Sequence, residues 1–224
     1  MKRTVITTSD GSKTIQIEDW DEQYHSIHGA IQESHHVFIK TGLHHFLKLY
    51  HPKNLSILEV GFGTGLNAFL TALEAQTHDL KIQYDGVEAY PVLEDELSQL
   101  NYATLIDADQ HPVFEALHQT PWAKLQPISA HFLLKKRQQF FVEIEDENTF
   151  DLIYFDAFGA RVQPELWTEA IFKRMFKALK NKGVLVTYAA KGSVRRAMQA
   201  VGFVVERLEG PPGKREMLRA SKPA

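Results

Sequence analysis

The stretch Leu58-Glu59-Val60-Gly61-Phe62-Gly63-Thr64-Gly65-Leu66-Asn67 decides how this chain is read. Before it, Leu55, Ile57, Leu58 and Val60 form an apolar run of strand length; after it, Leu66, Phe69, Leu70 and Leu73 recur at helical spacing, so the glycines fall on a strand-to-helix turn. Glycine tolerates positive φ and carries no Cβ, so backbone N–H groups and the positive end of the next helix can come close to an anionic ligand group. Such a turn suits a nucleotide-like cofactor. The run from Lys81 to Val87 carries Ile82, Tyr84 and Val87, reads as the next strand and ends at Glu88, within the length of one βαβ unit. A carboxylate there can accept hydrogen bonds from ribose hydroxyls.

The spacing also separates one nucleotide class from another. The dinucleotide fingerprint is G-x-G-x-x-G, but here Gly61, Gly63 and Gly65 alternate and Leu66 takes the place of the third fingerprint glycine. Glu59 is expected to face the same crevice, where it suits a cationic ligand group and repels a pyrophosphate. This E-x-G-x-G-x-G form resembles motif I of the class I S-adenosylmethionine-dependent methyltransferases. In that family the turn and its flanking acid hold the methionine moiety, and the acid ending the second strand holds the ribose. The resemblance therefore implies S-adenosyl-L-methionine as cofactor, held by Glu59, Gly61, Phe62, Gly63, Gly65, Asn67, Glu88 and Asp156.

Composition fits one main soluble domain: 44% of the 224 residues are hydrophobic and 24% charged. The absence of cysteine excludes disulfides, a thiol nucleophile and thiolate zinc sites, and agrees with a reducing compartment. No apolar stretch is long enough to span a bilayer and no signal-peptide core follows Met1, so the expected location is cytoplasmic. The net charge of −3 hides an asymmetry, because from Ile171 onward thirteen basic residues face three acidic ones. A segregated basic face suits a polyanion such as nucleic acid; the plainer alternative is that these residues solvate two amphipathic helices.

Val5-Ile6-Thr7-Thr8 and Thr14-Ile15-Gln16-Ile17 flank an Asp10-Gly11 turn, which predicts an opening β-hairpin. A polar, aromatic stretch from Tyr24 to Phe38 then leads into a helix containing Leu43, Phe46 and Leu47. Residues 1–50 are expected as an extension packed on a methyltransferase domain at 51–224. Seven of the eleven histidines lie between His25 and His51, but the doublets His35-His36 and His44-His45 point to different sides of a helix and no H-E-x-x-H accompanies them, so no metal site is expected. Tyr24, His25, Ser26 and Glu33 are instead expected to fold over the crevice, the plainer alternative being that they satisfy the backbone groups of their own loop. Further on, Ile128 to Leu134 reads as a third strand, Phe140, Val142 and Ile144 leave the next segment ambiguous, and no acid is assigned to an adenine amine among Glu143, Glu145 and Asp146.

Phe150 to Gly159 is the second decisive stretch. Leu152 to Phe155 reads as a central parallel strand that delivers Asp156 to its carboxyl end, beside the glycine turn. Pro164-Glu165-Leu166-Trp167 opens a helix expected to stop at Asn181-Lys182-Gly183, Val184 to Ala189 is a strand, and the chain finishes with an antiparallel pair around Gly210-Pro211-Pro212-Gly213. The expected fold is α/β and Rossmann-like: a mostly parallel seven-stranded sheet with a C-terminal antiparallel hairpin and a small N-terminal β-hairpin.

Together with Tyr24-His25-Ser26, Gly29 to Ser34, Pro164 to Trp167, Val194-Arg195-Arg196 and Gly213-Lys214-Arg215-Glu216-Met217-Leu218, these stretches resemble the tRNA 5-methylaminomethyl-2-thiouridine methyltransferase family. The resemblance implies methylation of the aminomethyl nitrogen of 5-aminomethyl(-2-thio)uridine at the tRNA wobble position, with Asp156 as the base. Tyr24, Glu33 and Phe158 are then expected around the base, and Arg195, Arg196, Lys214 and Arg215 on phosphates of the anticodon loop. Bifunctional members carry a flavin-dependent oxidase domain for which this sequence has no room, so that step is expected to be absent or done elsewhere, by a separate oxidase partner. The competing classes are a small-molecule N- or O-methyltransferase and a catalytically silent S-adenosylmethionine-binding module.

Overall fold

At the N-terminus, β1 (Arg3–Thr7), β2 (Lys13–Ile17) and β3 (Glu22–Gln23) form a small antiparallel sheet in that order. Its first turn is closed by Asp10, whose Oδ1 accepts from the Thr8 hydroxyl at 2.8 Å and the Ser12 amide at 3.0 Å. The hairpin thus has one strand more than the sequence announces. The structure is a computed structural model that describes residues 2–224; Met1, the first residue of the expected extension, lies outside them.

A continuous helical run follows, made of α1 (Ala30–Ser34), a π-helical stretch (His35–His44) and α2 (His45–Tyr50). Its Val37, Phe38, Ile39, Leu43 and Phe46 are buried in one cluster with Phe69, Tyr84 and Tyr154, so this helix completes the main core. The remaining elements are β4 (Asn54–Val60), α3 (Leu66–Thr77), β5 (Lys81–Glu88), α4 (Glu94–Leu97), α5 (Tyr102–Ile106), α6 (His111–Gln119), β6 (Leu125–Pro127), β7 (Phe132–Gln138), β8 (Phe150–Phe155), α7 (Glu169–Ala178), β9 (Leu179–Thr187), α8 (Gly192–Ala200), β10 (Val204–Glu209) and β11 (Glu216–Ser221).

The main sheet runs β10-β11-β9-β8-β4-β5-β7-β6. β4 pairs in parallel with β5 and β8, β5 with β7, and β8 with β9, whereas β11 lies antiparallel between β9 and β10. Strand alternation divides the apolar side chains between two faces. Ile57, Tyr84, Tyr154 and Val186 meet the N-terminal helix and α3, while Leu58, Val60, Ile153, Phe155 and Leu185 meet α7 and α8. Burial on both faces is what gives β4 and β8 their nearly unbroken apolar runs.

Three expectations need correction. The sheet has eight strands because the short β6 adds antiparallel to β7 at an edge, where Pro127 is tolerated. The third parallel strand runs from Phe132 to Gln138 and not from Ile128 to Leu134, and the ambiguous alternation after it is a single tight turn, Phe141–Glu143, in which Glu143 accepts from the Phe140 amide at 2.8 Å. Finally, α7 ends at Ala178 and passes directly into β9. Asn181-Lys182-Gly183 belongs to that strand, held by the Lys222 amide donating to the Gly183 carbonyl at 2.9 Å. Among the described residues no helix is long and apolar enough to cross a membrane.

Candidate functional site

The carboxyl ends of β4, β5, β8 and β9 open into a cavity of about 1180 Å³, roofed by the N-terminal sheet and the segment that follows it. On its floor, Gly61 and Gly63 have φ of +96° and +47°, and Gly65, just beyond it, has +73°. A Cβ on Gly61 would overlap the Asp156 carbonyl oxygen, and one on Gly63 would come 3.0 Å from the Tyr24 ring. The amides of Gly61 and Phe62 both donate to the Val87 carbonyl at 3.0 Å, which ties the turn to β5. At the end of β5, Glu88 lines the cavity, accepting from the Gly63 amide at 3.1 Å and the Tyr90 amide at 2.9 Å. Burial pushes its carboxyl up from the ordinary range, opposed by those two amides and by Arg3.

Asp156 stands on the next wall, two positions beyond the Tyr154 to Val186 pairing of β8 and β9. Burial pushes its carboxyl up to about 7, with the Glu33 charge adding to the rise and Asn67 and Lys214 opposing it. The Asn67 amide nitrogen donates to Asp156 Oδ2 at 2.9 Å and to Glu59 Oε1 at 2.8 Å, so one side chain braces two carboxyl groups. Glu59 itself corrects an expectation. It is fully buried beneath the turn and does not line the cavity, because strand alternation turns it toward α3 and Tyr84. Burial drives its carboxyl well above the ordinary range, with the Asp156 charge adding to the rise and the Asn67 amide opposing it. Gly65 and Asn67 likewise shape the turn from outside the cavity.

The roof is where the polar stretch from Tyr24 lands. Tyr24, His25, Ser26 and Glu33 all line the cavity. Phe158 meets Tyr24 edge-on at 4.9 Å between centroids and Trp20 at 5.7 Å, which makes an aromatic corner beside Asp156. Arg161 fastens it, its Nη2 donating to the Trp20 and Asp21 carbonyls at 3.0 and 2.7 Å. Lys214 is a second correction. It does not point outward to a phosphate: its Nζ is 2.6 Å from Glu33 Oε1 and 3.8 Å from the Tyr188 ring centroid, inside the cavity. Arg195 is half-buried on α8, and Arg196 and Arg215 are exposed; none of the three reaches the cavity.

Sequence reasoning missed Arg3, Trp20, Gln138 and Tyr188, all of which line the cavity. Tyr188 was readable in principle, as an aromatic just past the end of a strand adjoining the one that carries Asp156. Arg3 and Trp20 come from the hairpin, and nothing local marks their approach.

Comparison with known proteins follows this geometry. A family model described as S-adenosyl-L-methionine-dependent methyltransferase matches residues 117–223. The solved structure of MnmC2 from Aquifex aeolicus superposes with a TM-score of 0.78 at 26% identity, covering 100% of this chain and 72% of that one. This chain is similar to the S-adenosylmethionine-dependent methyltransferases, by sequence over residues 117–223 and by fold along its whole length. Among curated proteins this chain is 29% identical to the tRNA 5-methylaminomethyl-2-thiouridine biosynthesis bifunctional protein MnmC of Burkholderia thailandensis, over 96% of this chain and 34% of that protein. It is equally similar to the protein of the same name from Actinobacillus pleuropneumoniae, over 92% of this chain and 33% of that one. The chain thus spans about a third of the length of these relatives. A spermidine synthase from Thermotoga maritima shares the fold, with a TM-score of 0.55 at 16% identity.

The residues present fit S-adenosylmethionine. Gly61, Phe62 and Gly63 bring backbone to the cavity, Glu88 carries acceptor oxygens at its wall, and Asp156 brings a second carboxyl to a cavity with room for a cofactor and a nucleoside together.

Proposed function

We propose that this chain is an S-adenosylmethionine-dependent methyltransferase that methylates the aminomethyl nitrogen of 5-aminomethyl(-2-thio)uridine at the wobble position of tRNA, in the cytoplasm. The names of the MnmC relatives support this reading. The observation that carries it is Asp156, a carboxylate titrating near neutrality between the glycine turn and the aromatic corner of Trp20, Tyr24 and Phe158. In this reading residues 51–224 are the methyltransferase domain and residues 1–50 an extension that closes the substrate side.

Gly61, Phe62 and Gly63 would hold the methionine end of S-adenosylmethionine and Glu88 the ribose, with Gly65 and Asn67 shaping the turn. When bound, the cofactor supplies the electrophilic methyl. The protein's own task is the amine, which with a pKa of about 10, by analogy with lysine, is mostly protonated at neutral pH and cannot attack in that form. Asp156 accepts that proton and orients the lone pair. Its raised pKa narrows the gap that the proton must cross. Phe158, Tyr24 and Trp20 give an unstacked pyrimidine an aromatic surface, and Glu33 adds negative charge that favours a cationic aminomethyl group.

The deciding experiment supplies labelled S-adenosylmethionine and compares tRNA bearing 5-aminomethyluridine with the same tRNA lacking the modification. Label should enter only the modified tRNA, and Asp156→Asn should lower single-turnover rates about 10²–10⁴-fold with cofactor affinity nearly unchanged. Free aminomethyluridine nucleoside methylated as fast as intact tRNA would turn the reading to a small-molecule methyltransferase.

A further inference from the structure

A second convergence of side chains lies away from the cavity, at the far end of α3. Glu74 and His78 stand one helical turn apart there, and His44 reaches them from the end of the π-helical stretch. His44 Nε2 is 2.6 Å and His78 Nε2 is 3.1 Å from the same oxygen, Glu74 Oε2. Glu74 has a second oxygen, yet both imidazoles aim at one point. Their ring centroids are 5.5 Å apart at 74°, so the rings fan outward while the Nε2 atoms converge, and the three ligand atoms lie within 4.8 Å of one another. The His35 ring meets that of His44 edge-on at 6.5 Å.

Two imidazoles and a carboxylate on two helices are a zinc donor set, with a fourth position left for water. Metal–ligand distances of about 2.0–2.2 Å put tetrahedral neighbours roughly 3.3 Å apart, a spacing these side chains reach by small torsional shifts. The side chains are 37%, 21% and 45% exposed for His44, Glu74 and His78, so an ion has a path in. We propose that His44, Glu74 and His78 bind Zn²⁺ and clip the N-terminal helix to α3. The clip would join two elements that build the cavity from their opposite ends, since α1 carries Glu33 and α3 follows the glycine turn. Histidine spacing along the chain hides the site, because only Glu74 and His78 are neighbours in sequence.

The test uses tag-free, chelator-treated protein titrated with zinc chloride by calorimetry and with Co²⁺ by visible absorption. The parent should bind one ion per chain, give the intense absorption of tetrahedral Co²⁺ and gain thermal stability with zinc. The His44→Ala/His78→Ala double variant and the shape-conserving Glu74→Gln variant should each bind zinc more than about tenfold more weakly and lose the zinc-dependent shift in Tm. His111→Ala, which removes an exposed histidine beside Glu115, should bind as the parent does. Absence of binding by the parent, or undiminished binding by both ligand variants, would overturn the site.

Discussion

A carboxyl group titrating at about 7 is only part ionised near neutral pH, and its charged neighbours set that part. Glu33 raises the Asp156 carboxyl and Lys214 lowers it, while Lys214 is itself held on Glu33 at 2.6 Å. If Asp156 is the base, activity should rise with pH through about 7, and the two neighbours should move that limb in opposite directions. Glu33→Gln should shift it to lower pH and Lys214→Ala to higher pH, measured as single-turnover rate against pH; shifts of the same sign would refute the coupling. The same group makes a stability prediction. A folded-state pKa above the ordinary carboxylate value means that the native state holds the proton more tightly, so stability present at acid pH is lost as pH rises from about 4 to about 7. Asp156→Asn carries no such liability and should melt higher than the parent at pH 8, with the difference closing toward pH 4 in thermal denaturation.

At the scale of elements, the turn between β4 and α3 serves two neighbours at once, because Gly61 makes room for the Asp156 backbone and Gly63 for Tyr24. Gly61→Ala should cost about 1–3 kcal/mol from its φ of +96° alone and should abolish measurable cofactor binding, read by denaturant titration and calorimetry. This turn, β5 with Glu88, and β8 with Asp156 were legible in the sequence, since strands buried on both faces leave unbroken apolar runs and a terminal acid stands out against them. Elements whose residues serve two masters were not. β7 is written Phe132-Leu133-Leu134-Lys135-Lys136-Arg137-Gln138, and its cationic half hides a strand in which Lys136 is buried, donating to the His118 carbonyl at 2.6 Å. Likewise Lys180 looks like the end of a helix, but it is the second residue of β9 and pairs with Asp151 at 2.9 Å. Glu59 was misplaced because its position in the chain, one residue from the turn, gives no sign of which sheet face it takes. The roof over the cavity depends on contacts between Arg161 and a segment about 140 residues earlier, which no local pattern encodes.

For the whole molecule, the positive excess after Ile171 is partly spent internally: Lys177, Lys180, Arg207, Lys214 and Arg219 pair with acids. Lys191, Arg196 and Arg215 are among the exposed charges left over and, under the proposed function, are candidates for tRNA phosphates. Affinity for tRNA should fall as salt rises, and each of these charges that meets a phosphate should take about 0.7–0.9 from the log–log slope when replaced by alanine. A triple variant with an unchanged slope would remove this face from the tRNA footprint. The order of the strands carries one more consequence, for how the molecule is made. β11 sits between β9 and β10 although it follows both in the chain. During synthesis β10 therefore emerges with no partner to join, and the β9 edge stays bare until residues 216–221 leave the ribosome. Lys214, two residues before β11, comes to Glu33 only with that strand. A nascent chain arrested after β10 should then be open to protease at the β9 edge, and the charge pair beside Asp156 should be the last part of the cavity to form.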